Sequence, residues 1–326
     1  MNEDQRENTY QPAWWVPGPN LRTLWPFFFR DRRLPPHQRW ELEMADGDRV
    51  ELFRVDAAAG APRLLLLHGL EGSLQSHYLG PMLAQAANAG WGADLLMFRG
   101  CGAPPNRAKR FYHSGETTDL HAVATHLFGE FPAARFVLAG YSLGANVLLK
   151  WLGEQGDRVA DRVCGAAAVS TPFDLAKGAR HIPGIYDRRF LASLRAKARA
   201  KLALHPGAFD AARLSAAKTV WDFDDTVTAP VHGFRDALDY YAQSSSIGFL
   251  DRIRVPTLLL SARDDPFLPR EVLHDVERIA LENTFITTDF PDAGGHVGFM
   301  SGRVPWRPRY WAEQRVRQFL EVCLRS

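Results

Sequence analysis

The chain has 326 residues, 46% of them hydrophobic, which is enough to bury one large core, and we read it as one domain carrying an insertion. Its 39 Lys+Arg against 37 Asp+Glu leave a formal net charge of +2, so the whole-molecule field steers little and a nucleic-acid partner has no support. The three cysteines, Cys101, Cys164 and Cys323, are widely spaced with no CxxC pair, which speaks against zinc or redox chemistry and makes a reduced, cytoplasmic setting the default expectation.

Residues 1–6 are polar and acidic. The apolar stretch 14–29 is broken by Pro17, Pro19, Arg22 and Pro26, so it reads neither as a signal peptide nor as a membrane span. Residues 1–38 are expected to form an arm whose aromatics, Trp14, Trp15, Trp25 and Phe27 to Phe29, pack over the core; an interfacial membrane anchor is the weaker reading, because the prolines are expected to prevent an amphipathic helix. Segments 39–44 and 48–54 flank Asp46-Gly47 and partly alternate apolar with polar, as an antiparallel hairpin at a sheet edge does. The later apolar runs, 64–67, 94–98, 136–139, 166–169, 257–260 and 285–288, do not alternate, which predicts strands covered on both faces. Helices are predicted at 79–88 before Gly90, at 118–128, at 143–152 before Gly153 and at 270–281. Strand and helix alternate, so the class is α/β with an eight-stranded, mostly parallel sheet.

Residues 174–248 break that alternation. They are helical in pattern, rich in Arg, Lys and Ala, and contain no clear strand, so we expect a helical cap between strands six and seven, with 39–173 and 249–326 as the core. The basic run Arg180, Arg188, Arg189, Arg195, Lys197, Arg199 and Lys201 reads as a solvated helix face, with attraction of an anionic substrate or membrane as the alternative. Trp221, Phe223, Phe234, Tyr240 and Tyr241 are aromatic enough to wall an apolar acyl pocket.

The strongest chemical signal is Gly140-Tyr141-Ser142-Leu143-Gly144, after one predicted strand and before a helix. In that setting G-x-S-x-G is a nucleophile elbow: glycine relieves backbone crowding on either side, and the turn lifts the serine hydroxyl clear of the sheet. A serine hydroxyl needs a base to take its proton and a carboxylate to hold that base in the right tautomer. In chain order serine, acid, histidine, the base is His296, in the glycine-bearing loop 292–296; His274 falls within a predicted helix instead. The acid is Asp265, after the seventh strand and fixed in direction by Pro266, while Asp264 better suits a cap on the following helix. Backbone N–H groups of Leu143 and of Leu70, in His68-Gly69-Leu70-Glu71-Gly72, are the expected oxyanion donors. His68 itself is expected to bond to its own loop. No HExxH, no clustered His/Cys set and no GK[ST] element occur, so no metal or cofactor is expected.

With the segments HGLEGS, GYSLG, DDPF and GGH, four longer stretches carry a family resemblance: PAWWVPGPNLRTLWP near the N-terminus, FRGCGAPPNRAKRFYHSGETTDL at 98–120, WDFDDTVTAPVHGFRDALDYY at 221–241 and SARDDPFLP at 261–269. In these the chain resembles the YheT-like branch of the α/β-hydrolases, bacterial relatives of the plant embryo-specific hydrolases and of the mammalian membrane-associated ABHD lipases. The resemblance implies an eight-stranded hydrolase core with a helical cap, esterase-type activity on a small-molecule or lipid-like ester, and Ser142, Asp265 and His296 as nucleophile, acid and base. It assigns no role to Arg99, His113, Glu116 or Asp119, and the membrane span of the mammalian relatives has no counterpart in the sequence. Acyl transfer through the same triad, and a non-catalytic binding protein on this scaffold, are the rival readings.

Overall fold

The computed structural model describes residues 9–102 and 106–326; the polar start at 1–6 lies outside the described residues. An eight-stranded sheet runs β1 (Gln38–Glu43), β2 (Arg49–Val55), β4 (Gly92–Met97), β3 (Arg63–Leu67), β5 (Phe136–Tyr141), β6 (Val163–Val169), β7 (Thr257–Leu260), β8 (Ile286–Asp289) in spatial order. β1 and β2 form an antiparallel hairpin, β2 meets β4 antiparallel, and every pairing from β4 to β8 is parallel. This is the sheet expected from the unbroken apolar runs, except that β8 lies at the edge and is buried only at Ile286, so it is not covered on both faces.

The run of leucines in β3 shows why it does not alternate. Leu65 and Leu67 enter a core on one face with α3 (Thr118–Glu130), α4 (Leu143–Gln155) and α11 (Arg270–Glu282), while Leu64 and Leu66 enter the core on the other with α2 (Leu79–Asn88) and α12 (Trp311–Arg325). Both faces of a strand period are apolar because helices cover both. A short second sheet pairs β9 (Met300–Ser301) with β10 (Arg309–Tyr310), which no sequence pattern announced.

Between β6 and β7 the described residues form helices and no strand: α5 (Leu175–His181), α6 (Gly184–Leu204), α7 (Ala211–Ala216), α8 (Val220–Phe223), α9 (Ala229–His232) and α10 (Ala237–Ser244), with a π-helical turn at Asp224–Thr228. Its basic run departs from the expected solvated face. Arg180, Arg188, Arg189 and Arg199 are exposed, but Lys201 is buried and donates to the carbonyls of Asn106 and Ala108, Arg195 donates to the carbonyls of Leu214 and Ser215, and Lys197 pairs with Glu71 at 2.9 Å. Lys197 and Lys201 fasten the insertion to loops of the sheet and Arg195 ties α6 to α7 within it, uses that hydropathy patterning cannot reveal.

The arm also differs from expectation. Despite its prolines, it contains the helix α1 (Pro19–Phe29). Pro19 stands at the first helical position, where no N–H donor is needed, and Pro26 costs one intrahelical bond that burial of Thr23 and Pro26 offsets. Ala13 and Val16 bury against Met300, and the indoles of Trp14 and Trp15 donate to the carbonyls of Arg303 and Gly302, both at 3.0 Å. The aromatics divide: Trp15 and Trp25 pack edge to face, whereas Trp14, Phe28 and Phe29 are 76%, 62% and 68% exposed.

Candidate active site

β5 ends at Tyr141 and α4 begins at Leu143, leaving Ser142 alone in the turn with φ 53° and ψ −122°. A non-glycine residue in this region is strained and persists only where its surroundings hold it. Here the Ser142 N–H donates to the Val169 carbonyl at 2.8 Å, and the Ser142 carbonyl accepts from Ala145 N at 2.9 Å. The flanking glycines are forced by crowding: a Cβ on Gly140 would lie 2.6 Å from the Gly144 carbonyl oxygen, and one on Gly144 would lie 2.3 Å from that of His68.

Past β8 the chain returns to this turn. His296 Nε2 lies 2.9 Å from Ser142 Oγ, and His296 Nδ1 lies 2.8 Å from Asp265 Oδ2. The other oxygen of Asp265 accepts the Phe267 N–H at 2.8 Å, so the carboxylate is oriented by its own turn and is only 5% exposed. A carboxylate accepts only, which puts the imidazole proton on Nδ1 and leaves the Nε2 lone pair toward the serine hydroxyl.

Asp264, next door, faces elsewhere. Its Oδ1 accepts the N–H groups of Gly294 and Gly295 at 2.7 and 2.8 Å, and its Oδ2 pairs with Arg22 at 3.0 Å. It fastens the histidine loop and does not cap the helix that follows. His274 is exposed on α11, away from the serine.

Leu70 and Leu143 border the cavity that also contains Ser142 and His296. Leu143 is the first residue of α4, so its N–H has no acceptor within the helix. The loop carrying Leu70 runs against the serine: a Cβ on Gly69 would lie 3.1 Å from Ser142 Cβ, and the Gly69 N–H is taken by the Tyr78 hydroxyl at 2.8 Å. His68 Nδ1 lies 2.7 Å from the Gly69 carbonyl, to which it donates, and its Nε2 accepts from Phe98 N at 3.1 Å. Burial pulls its pKa down to about 4, so it is a neutral fastener of this loop.

Sequence reasoning missed what holds the histidine. The His296 N–H donates to Thr23 Oγ1 at 2.9 Å across 273 residues of chain, and Thr23 in turn donates to Pro19 O. α1 sits so close that a Cβ on Gly295, at φ 65°, would lie 2.7 Å from the Pro19 carbonyl, and one on Gly298 would lie 2.2 Å from that of Arg22. The N-terminal stretch thereby belongs to the site. In the described part of the 98–120 segment, buried Arg99 is held by both oxygens of Asp119 at 2.6 and 2.8 Å and by Asp46 and Asp48, Glu116 accepts from Thr118 N at 2.8 Å, and His113 borders the cavity with Phe111, Tyr112 and Ser114, whereas Arg99, Glu116 and Asp119 do not.

The cavity and its mouth together span about 850 Å³, open solvent included. Its wall is largely apolar, with Phe190, Leu194, Val220 and Phe223 from the insertion facing Leu70 and Phe267. Of the five aromatics singled out in 221–241, Phe223, Tyr240 and Tyr241 border it; Trp221 and Phe234 pack behind them.

Residues 62–302 match the family described as the alpha/beta hydrolase fold. The Escherichia coli protein named "Putative esterase YheT" is 38% identical over 317 residues, spanning 94% of this chain and 91% of its own. The chain belongs to the YheT-like branch of the α/β-hydrolase fold family. It is a hydrolase of that fold. Phospholipase ABHD3 of Mus musculus is 26% identical over 330 residues, spanning 97% of this chain and 79% of its own. Among solved structures, an esterase of Pyrococcus furiosus shares the fold with a TM-score of 0.57 at 19% identity, covering 88% of this chain and 91% of that one. Among the described residues of this YheT-like hydrolase, no helix is long and apolar enough to cross a membrane.

Proposed function

We propose that this YheT-like hydrolase cleaves carboxylic esters through an acyl-enzyme on Ser142, with His296 as general base and acid and Asp265 as the orienting carboxylate. The reading rests on the unbroken chain of hydrogen bonds from Asp265 Oδ2 to His296 Nδ1, 2.8 Å, and from His296 Nε2 to Ser142 Oγ, 2.9 Å. Ser142 Oγ attacks the ester carbonyl as His296 Nε2 takes its proton, and Asp265 stabilises the imidazolium. The N–H groups of Leu70 and Leu143 receive the oxyanion. His296 then returns the proton to the leaving alcohol, and water repeats the sequence in reverse to release the acid. Relatives named as an esterase and a phospholipase support an ester substrate, and the apolar wall suits an acyl chain.

Labelling of the protein by a fluorophosphonate, together with turnover of p-nitrophenyl esters from acetate to palmitate, tests this reading. We expect one label, on Ser142, and a maximum of kcat/KM at medium acyl length, because a two-carbon acyl group leaves most of the apolar wall unfilled. Absence of labelling would overturn the mechanism, and a steady fall in kcat/KM from acetate upward would overturn the acyl pocket.

The arm supplies a second expectation. Thr23→Val removes the acceptor of the His296 N–H, and an unsatisfied buried donor costs about 1–3 kcal/mol. We expect a lower Tm and a kcat reduced about tenfold with KM little changed, since only the base is displaced. Thr23→Ser keeps the hydroxyl and should restore both. A valine variant with full kcat would separate the arm from catalysis.

A further inference from the structure

The cavity has a second polar pole. Asp224 and Thr228, at the two ends of the π-helical turn of the insertion, both border it, together with the rings of Tyr240 and Tyr241. The Thr228 hydroxyl donates to Asp224 Oδ1 and the Tyr241 hydroxyl to Asp224 Oδ2, each at 2.6 Å. Among the described residues no cation pairs with this carboxylate, although the insertion is rich in arginine and lysine. A carboxylate has about four acceptor positions, so about two remain after these bonds.

A carboxylate in an apolar wall with no counter-ion is costly to keep. Burial lifts the Asp224 pKa to about 6, against the two hydroxyl bonds that favour its ionised form. A tie between the turn and α10 alone would not require a charge: an amide or a second hydroxyl would accept from Thr228 and Tyr241 as well. π-turns recur at functional sites because they displace a side chain from the helical register, and this one brings Asp224 to the cavity.

Taking the cavity as the substrate pocket of the proposed ester hydrolase, we propose that Asp224 is a specificity site that accepts hydrogen bonds from a donor group of the substrate, a hydroxyl or an ammonium. The Ser142 pole handles the ester and the Asp224 pole selects what else the molecule carries. Donor-bearing esters bind ahead of plain alkyl esters, and anionic ones are repelled.

Binding of probes that cannot be hydrolysed tests this apart from turnover. Calorimetry on the full chain would compare 1-O-octylglycerol, octylammonium, methyl octyl ether and octanoate, with wild type, Asp224→Asn and Asp224→Ala. We expect wild type to bind the glycerol or the ammonium probe at least about tenfold more tightly than the methyl ether, with octanoate weakest. Asp224→Asn keeps an acceptor and loses the charge, so it erases an ammonium preference and only weakens a hydroxyl preference; Asp224→Ala erases either, which distinguishes the two sources. Equal affinity of wild type for all the neutral and cationic probes overturns the inference, even if neither variant folds. So does a donor preference that persists in Asp224→Ala. If the preference behaves as expected while no ester is turned over, the ester reading fails and the binding site stands.

Discussion

Ser142→Ala is expected to lower kcat/KM on any ester the wild type turns over by on the order of 10⁴ to 10⁶, with little change in Tm. The size follows from the geometry. Without Oγ no acyl-enzyme forms, and the hydrogen bond from the serine to His296 Nε2 is lost, so what remains is water attacking a carbonyl held near two backbone N–H groups. Stability should be nearly unaffected, because the φ of 53° at this position is held by backbone bonds to Val169 and Ala145 that alanine keeps. Measuring kcat/KM together with fluorophosphonate labelling and Tm separates loss of chemistry from loss of fold. A variant that retains turnover would remove Ser142 from the reaction, whatever else the cavity binds.

The sheet was legible because its strands obey a single rule. Each of β3 to β7 is buried on both faces and apolar apart from residues such as the paired Arg63 and Asp94, and glycine-bearing or proline-bearing turns bound them, so a run such as Leu64 to Leu67 cannot be mistaken for a half-exposed strand. The elbow was legible from its local pattern between strand and helix: Gly140 is required by backbone atoms of Gly144 and Ala145 a few residues on, although Gly144 is required by the distant backbone of Leu67 and His68. His296 and Asp265 could be placed by chain order, since each stands in the loop after a recognisable strand.

What stayed hidden is carried by contacts between distant segments. The prolines of α1 argue locally against a helix, and only burial against the histidine loop, through Thr23 and the facing glycines, overrides them. Lys197 and Lys201 look like surface charge until Glu71 and the carbonyls at 106 and 108 are brought opposite them. The role of Asp264 was misjudged because an aspartate before a helix is a common cap, and the N–H groups it serves belong to a loop 30 residues on.

The adjacent aspartates give the sharpest test. Asp265→Asn is expected to lower kcat on the order of 10³ to 10⁴, because an amide can turn its NH₂ toward His296 Nδ1 and draw the ring into the tautomer with the proton on Nε2, where it can no longer accept from the serine. Its other oxygen still accepts from Phe267 N, so the turn keeps its shape and KM should change little. Asp264→Asn is a different perturbation. The amide oxygen can still accept the N–H groups of Gly294 and Gly295, while the ion pair with Arg22 loses its charge. That pair is partly screened, its side chains being 13% and 21% exposed, so its loss should cost about 1 kcal/mol of stability and about tenfold or less in kcat through a loosened histidine loop. Both variants should be compared on one ester in one buffer, with Tm recorded alongside. The expected pattern is a stable, crippled Asp265→Asn and a softened, active Asp264→Asn. The reverse pattern would mean that the histidine is oriented by the carboxylate that also holds its loop, and that Asp265 serves only the turn into Phe267.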